Sequence, residues 1–313
     1  MAHPTLTDDE LTAAVTQRYA ASARANLQAH TESSGGCGCG DDCCGGSARP
    51  DRAEAVAAGS SCCATSCCGD SATGADPITG NLYDPQDVPS AGALTASLGC
   101  GNPTALADLT PGMDVLDLGS GGGLDVLLSA RRVGPNGTAF GVDMTDEMLT
   151  LAERNKAESG LANATFLKGT IDSVPLPDGS VDVIISNCVI NLAADKDAVL
   201  AESHRLLRPG GRFAVSDIVL LRPIDDRWAA LVGLWTGCIA GALLDTDYTT
   251  KLTNAGFTDP SVEVTRHYTR DDLETLAEQL VDDQLPAGVT REDAVAALEG
   301  AFASAFVRAT KPA

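Results

Sequence analysis

Between residues 113 and 218 the chain repeats one pattern, a short apolar run followed by a longer helical stretch. The runs are MDVLDLG (113–119), GTAFGVDM (137–144), ATFLKG (164–169), VDVIISN (181–187) and GRFAVSDI (211–218). Between them lie LDVLLSARRV, DEMLTLAERNKAESG and KDAVLAESHRLLRPGG, with Gly134-Pro135-Asn136-Gly137 and Pro209-Gly210-Gly211 as breaks before strands. Strands alternating with helices at this spacing predict an α/β fold with a doubly wound, mainly parallel sheet. Hydrophobic residues make up 44% of the chain, enough to fill such a core.

Composition divides the chain into four parts. Residues 1–30 hold a predicted helix over about 8–29, with Leu11, Val15, Tyr19 and Ala23 at four-residue intervals. Residues 31–75 are rich in Gly, Ser, Asp and Cys, and have almost no large apolar side chains. Such a segment builds no core of its own and is expected to be flexible unless a ligand orders it. Residues 76–220 carry the alternating pattern. Residues 221–313 read as a small α+β C-terminal region, an appended cap or substrate region. It has predicted helices at Asp226–Ala240, Asp271–Val281 and Arg291–Val307, and a short strand at Ser261–Tyr268.

The formal net charge is −22. A surface of that sign repels phosphate backbones, which argues against a nucleic-acid partner. No apolar run approaches the length of a membrane span. The start, MAHPTLTDDE, lacks the basic-then-apolar pattern of an export signal, so a cytoplasmic protein with no membrane partner is expected.

The sequence VLDLGSGGG (115–123) closes one predicted strand and opens a helix. Gly119, Gly121 and Gly123 allow a tight turn and close approach of backbone to a nucleotide. Asp117 lies near the end of that strand. A second acid, Asp143, ends the next one, followed by Met144, and can accept hydrogen bonds from both hydroxyls of a ribose. The G-x-G-x-G spacing differs from the dinucleotide pattern, and nothing marks a pyrophosphate site. The combination therefore fits S-adenosylmethionine better than NAD. Three further residues fall at strand ends on the same side: Ile171 and Asp172, placed for the face and edge of an adenine, and Asn187.

Four stretches together resemble the arsenite S-adenosylmethionine methyltransferases: SLGCGNP (97–103), VLDLGSGGGLDVLLSARRVGPNGTAFGVDMTDEML, SNCVINLAADKDAVLAESHRLLRPGGRFAVSDIV and TGCIAGAL (236–243). The resemblance runs from about residue 97 to 245. It implies a Rossmann-like class I methyltransferase fold with S-adenosylmethionine as cofactor. It also implies that Cys100, Cys188 and Cys238 hold arsenic(III), and that Cys62 or Cys63 resembles an N-terminal cysteine pair taking part in thiol exchange. The partners so implied are arsenite as a thiol conjugate and a thiol reductant, glutathione-like or thioredoxin.

The chemistry agrees with that implication. Arsenic(III) is soft and prefers thiolate to oxygen ligands. Bound by three sulfurs it keeps a lone pair, so no general base is required. The work left to the protein is orientation and exclusion of water. Cys188 follows Asn187 at a strand end, beside the expected cofactor crevice. Eight of the eleven cysteines fall between Cys37 and Cys68. That cluster has three readings: a redox and delivery arm, a structural zinc site lacking the usual C-x2-C pairs, or inert low complexity. His204 is expected to serve on the surface or in packing rather than in catalysis, and Trp228 and Trp235 to belong to the core. Two other functions remain open on sequence: methylation of an organic acceptor, and sequestration of a metalloid on a vestigial cofactor fold.

Overall fold

A computed structural model of the chain describes residues 8–34, 101–102, 107–225, 228, 241–278, 285 and 289–313. Its elements in chain order are α1 (Asp8–Ser34), β1 (Val115–Leu118), α2 (Leu124–Val133), β2 (Ala139–Asp143), α3 (Asp146–Ser159), β3 (Ala164–Lys168), β4 (Val181–Asn187), a 3-10 turn (Ile190–Leu192), α4 (Lys196–Leu206) and β5 (Leu207–Leu220). They continue with β6 (Leu243–Leu244), α5 (Asp245–Asn254), β7 (Thr258–His267), α6 (Arg270–Glu278), α7 (Arg291–Leu298) and β8 (Phe302–Thr310).

The strands form one sheet in the order β3-β2-β1-β4-β5-β8-β7, with β6 paired to β5. β3, β2, β1, β4 and β5 run parallel, whereas β8 is antiparallel to both β5 and β7. The order reverses at β1, so β1 and β4 diverge and open a crevice beyond their C-terminal ends, where ligands of such sheets bind.

Residue alternation along the central strands explains why the sheet is covered on both faces. Leu116, Leu118, Ile184, Phe213 and Val215 join one apolar cluster, while their neighbours Val115, Val183, Ile185 and Ala214 join another. Successive strand residues point to opposite faces, so these runs supply two layers of core at once. Helix starts follow local chemistry. Asp195 caps α4 by accepting from the Ala198 N–H at 2.9 Å, and Thr290 with Asp293 forms a capping box on α7.

Three expectations need correction. The stretch 291–307, expected as one helix, is helical only to Leu298; Gly300, at φ +66°, turns the chain, and Phe302–Thr310 enters the sheet as β8. Its alanines favour a helix locally, but between β5 and β7 they are buried, and burial decides. Pro209-Gly210-Gly211 was expected to precede a strand and instead lies inside β5, whose pairing with β4 shifts register between Val181 and Val183. The tail's long strands, β7 and β8, complete the main sheet rather than standing apart from it.

Helix α1 covers the expected span and extends to Ser34. Ala23 packs with Met148 and Leu151 of α3, and Arg24 pairs with Glu147. The expected helix at 226–240 lies outside the described residues apart from Trp228, which is buried. Trp235 lies outside them too. His204 packs edge-on to Phe257, as a packing role requires.

Candidate active site

The glycine turn after β1 is held by its own backbone and by one helix side chain. The N–H groups of Gly119 and Ser120 both donate to the Val142 carbonyl at 2.9 Å, and Gly123 donates to Ser120. Asn155, fully buried on α3, donates to the Gly122 carbonyl at 2.8 Å. Gly119 has φ +75°, and a Cβ there would come within 2.5 Å of Val189. Gly123, at φ +85°, would meet the Phe166 ring at 2.6 Å. These two positions therefore require glycine for conformation and for close packing.

Asp143 sits opposite this turn. One carboxylate oxygen accepts from the Gly121 N–H at 2.9 Å and the other from the Thr145 N–H at 2.8 Å. Each oxygen keeps a further lone pair. Burial pushes its pKa up, and the backbone N–H groups of Thr145 and Gly121 partly oppose that. Asp117 is 3% exposed and its pKa is raised well above the usual carboxylate range, first by burial and then by the charges of Asp125 and Asp143. Three carboxyl groups thus gather at one end of the crevice. A cationic ligand would relieve their repulsion.

A cavity of about 330 Å³ opens beside Asp143. Gly119, Met144, Ile171 and Asp172 line it, as does Asp143 itself. Sequence reasoning missed several of its other walls. Tyr19 and Val15 reach it from α1, and Leu192 comes from the turn after β4. The four-residue stripe on α1 was visible in the sequence, but nothing in it showed which way the stripe faced. Asp125, immediately inside the helix that follows the glycine turn and 6% exposed, was also missed.

Asn187 does something other than line this cavity. Its side-chain oxygen accepts from the Gly101 N–H at 3.1 Å, and its nitrogen donates to the Gly101 carbonyl at 2.6 Å and to Asp125 at 3.3 Å. Cys188 follows with φ +62°, a left-handed conformation rare outside glycine. Its N–H donates to the Ser216 carbonyl at 2.9 Å. The residue is 2% exposed and disulfide-bonded. Its partner is not among the described residues: Cys62, Cys63, Cys100 and Cys238 all lie outside them. Residues flanking two of these are described. Gly101 follows Cys100, while Trp228 and Ala242 bracket Cys238 and belong to the apolar cluster that holds Cys188.

Comparison with known proteins bears on this constellation. Residues 109–256 match a methyltransferase domain family. The arsenite methyltransferase of Halobacterium salinarum is 48% identical over 176 residues, covering 56% of this chain and 45% of the relative. That of Aquipseudomonas alcaligenes is 44% identical over 169 residues, covering 52% and 48%. The crystal structure of an arsenic(III) S-adenosylmethionine methyltransferase from Chlamydomonas reinhardtii superposes with a TM-score of 0.55 at 33% identity, over 69% of this chain and 68% of that one.

The chain belongs to the arsenite methyltransferase family. It spans about half the length of the curated relatives it matches. The central sheet is that of a class I S-adenosylmethionine-dependent methyltransferase, and the crevice at β1 and β4 is the cofactor crevice of that fold. The residues present fit the family's cofactor: a ribose-ready carboxylate at Asp143, an acidic group suited to a sulfonium and an ammonium, and a cavity with an apolar wall at Ile171 and Leu192. Among the described residues no helix is long and apolar enough to cross a membrane.

Proposed function

We propose that this chain methylates trivalent arsenic held by Cys100, Cys188 and Cys238, using S-adenosylmethionine. The observation that supports the reading is the setting of Cys188 at the end of β4. Asn187, the residue before it, is hydrogen-bonded to Gly101, the residue after Cys100, and its apolar cluster includes Trp228 and Ala242 on either side of Cys238.

The cofactor supplies an activated methyl group. Asp143 would hold its ribose hydroxyls, Asp117 and Asp125 its cationic end, and Ile171 and Asp172 its adenine, with Gly119, Gly121 and Gly123 allowing close approach and Met144 lining the crevice. The arsenic substrate is the nucleophile. Arsenous acid condensing with three thiols releases three waters and leaves arsenic with its lone pair, so no proton need be removed and no base is required. The burial of Cys188 would keep water from the arsenic.

The disulfide at Cys188 must be opened before arsenic binds. Two equivalents of a thiol reductant return it to two thiols and leave as the oxidised dimer. Cys62 or Cys63 would relay this exchange, with a glutathione-like thiol or thioredoxin as the ultimate reductant. The physiological outcome of the reaction would be arsenic detoxification.

Product analysis tests the reading. Wild-type protein incubated with arsenite, S-adenosylmethionine and a thiol is expected to give methylated arsenic, and Cys188→Ala or Cys238→Ala none. Full activity in both variants would overturn the trithiolate site.

A further inference from the structure

Four consecutive residues, Gly169 to Asp172, line the cofactor cavity directly after β3. They open a loop that runs to Ser180, just before β4. We infer that Arg205 and Glu202 of α4, neither of which lines the cavity, are positioning residues that hold this loop and so set Ile171 and Asp172 against the adenine. This rests on the adenine assignment made under the proposed function and deepens it.

Arg205 uses every N–H donor it has. Nε donates to Glu202 Oε2 and Nη2 to Glu202 Oε1, each at 2.7 Å, in a bidentate fork. Nη2 also donates to the Val174 carbonyl at 3.3 Å, while Nη1 donates to the Leu176 carbonyl at 2.9 Å and to Asp178 Oδ1 at 2.7 Å. A guanidinium offers five N–H groups in one plane, and all of them are engaged. Glu202, oriented by the fork, accepts the Val174 N–H on Oε1 at 2.7 Å. One ion pair thus holds Val174 by both its N–H and its C=O. The same hydrogen bonds from Arg205 keep the Glu202 carboxyl below the ordinary carboxylate range, so the acceptor stays ionised at neutral pH.

The cavity wall begins one residue away. Ser173 donates its N–H to the Thr170 carbonyl at 3.1 Å, which doubles the chain back and leaves Ile171 and Asp172 at the tip of the turn. On its near side the turn is tied to the crevice, since the Gly169 N–H donates to the Asp143 carbonyl at 3.1 Å. On its far side it is tied to α4 through Val174. Val174 is 5% exposed and belongs to the apolar cluster on which Ile171 packs. Further along, the Arg205 and Leu206 carbonyls accept the Gly179 and Ser180 N–H groups at 3.0 and 2.9 Å.

The tip needs such a tie. Ile171 is half-buried and Asp172 exposed, so burial alone does little to fix them. A loose tip would have to be ordered when the cofactor binds, at a cost in affinity. The latch makes that ordering part of the fold. It also depends on the fork rather than on the charge, because an ammonium cannot reach two carboxylate oxygens and two carbonyls in one plane.

The test measures S-adenosylmethionine binding to the full chain by calorimetry and amide exchange at Val174 in the same variants. Arg205→Lys, which keeps the charge and loses the fork, is expected to weaken the cofactor by about fivefold, the scale of one lost hydrogen bond, and to accelerate exchange at Val174. Glu202→Gln keeps an acceptor for the Val174 N–H and should weaken the cofactor less than Glu202→Ala does. Ile171→Ala alone should cost about tenfold. Combined with Arg205→Lys, its loss should fall short of the product of the two single losses, because both act at one wall. Unchanged cofactor affinity in Arg205→Lys, even with a lower thermal midpoint, would make the pair purely structural and overturn the inference. So would losses that multiply in full in the double variant. Wild-type affinity in Ile171→Ala would show instead that the adenine assignment is wrong, and the inference would fall with it.

Discussion

Cys188 hangs from Ser216: its N–H donates to the serine carbonyl at 2.9 Å while its own backbone is held at φ +62°. A left-handed conformation costs a residue with a Cβ about 1–2 kcal/mol relative to its preferred regions. The fold sustains that cost because β4 and β5 are paired up to Asn187 and Ser216 and leave the next residue no other course. Strain of this kind collects at functional positions.

The strain gives a first expected outcome. In reduced protein, Cys188→Gly should be more stable than Cys188→Ala by about 1 kcal/mol, because only glycine adopts this backbone freely. Both should lose arsenite binding. Urea unfolding of the two variants checks the difference, and alanine matching or exceeding glycine would show that the backbone here is unstrained.

A second outcome concerns Asp217, buried under Tyr248 with Lys196 nearby. Burial raises its pKa from 3.8 to about 7, against the opposing Ile218 N–H and the Lys196 charge. Tyr248 donates to it at 3.4 Å, and its own pKa is raised well above 10 by burial and then by the Asp217 charge. The folded state therefore holds a proton that the unfolded chain releases near pH 4. Stability contributed by that proton is complete below this value and is lost as pH rises through about 7, amounting to up to about 4 kcal/mol. Asp217→Asn should flatten the decline. Unfolding free energies at pH 4.5 and 7.5 measure it, and an unaltered difference between the two would contradict the assignment.

The two-sided strands were legible because they are short continuous apolar runs, buried on both faces, and the helices because the longer stretches between those runs fill the crossovers of a parallel sheet. Asp143 and the glycine turn were legible with them, being a strand end and a turn. β8 was not. FASAFVRAT reads locally as the continuation of an alanine-rich helix, and only the slot between β5 and β7 makes it a strand. Asn187 was placed at the correct strand end, yet its partner, Gly101, lies 86 residues earlier and leaves no mark in the local pattern. Long-range pairing of a single side chain is a property of the fold, and sequence periodicity carries no trace of it.

Asp143 supplies a third outcome. Each of its oxygens holds one backbone N–H of the crevice, so its removal loosens the turn as well as any ribose contact. Asp143→Ala should weaken S-adenosylmethionine by about 10–100-fold, the worth of hydrogen bonds to a charged acceptor. Arsenite affinity should hold, since among the described residues no contact of Cys188 passes through Asp143. Separate titrations of the two ligands would show it, and parallel losses in both would mean that the two sites are not independent.

Helix α1 makes the last case. Its sequence stripe could have served packing alone, and part of it does, through Ala23 against Met148 and Leu151. One turn earlier the same face changes role. Tyr19 and Val15 form a wall of the cavity, and the Thr16 hydroxyl lies 3.7 Å from the sulfur of Met144, directly after Asp143. The helix thus covers the cofactor crevice, and Arg24 pairing with Glu147 on α3 holds the cover in place. An aromatic wall opposite Ile171 and Asp172 suits a planar base. Tyr19→Ala should weaken S-adenosylmethionine by about 5–10-fold, the scale of one aromatic contact with its buried area, and Tyr19→Phe should restore most of the affinity. Arg24→Ala, which frees the cover without touching the cavity, should raise the cofactor dissociation rate while altering the thermal midpoint little, because an exposed ion pair adds less than about 1 kcal/mol. Stopped-flow release of the cofactor separates the two effects, and a Tyr19→Ala variant with wild-type affinity would return α1 to a purely structural role.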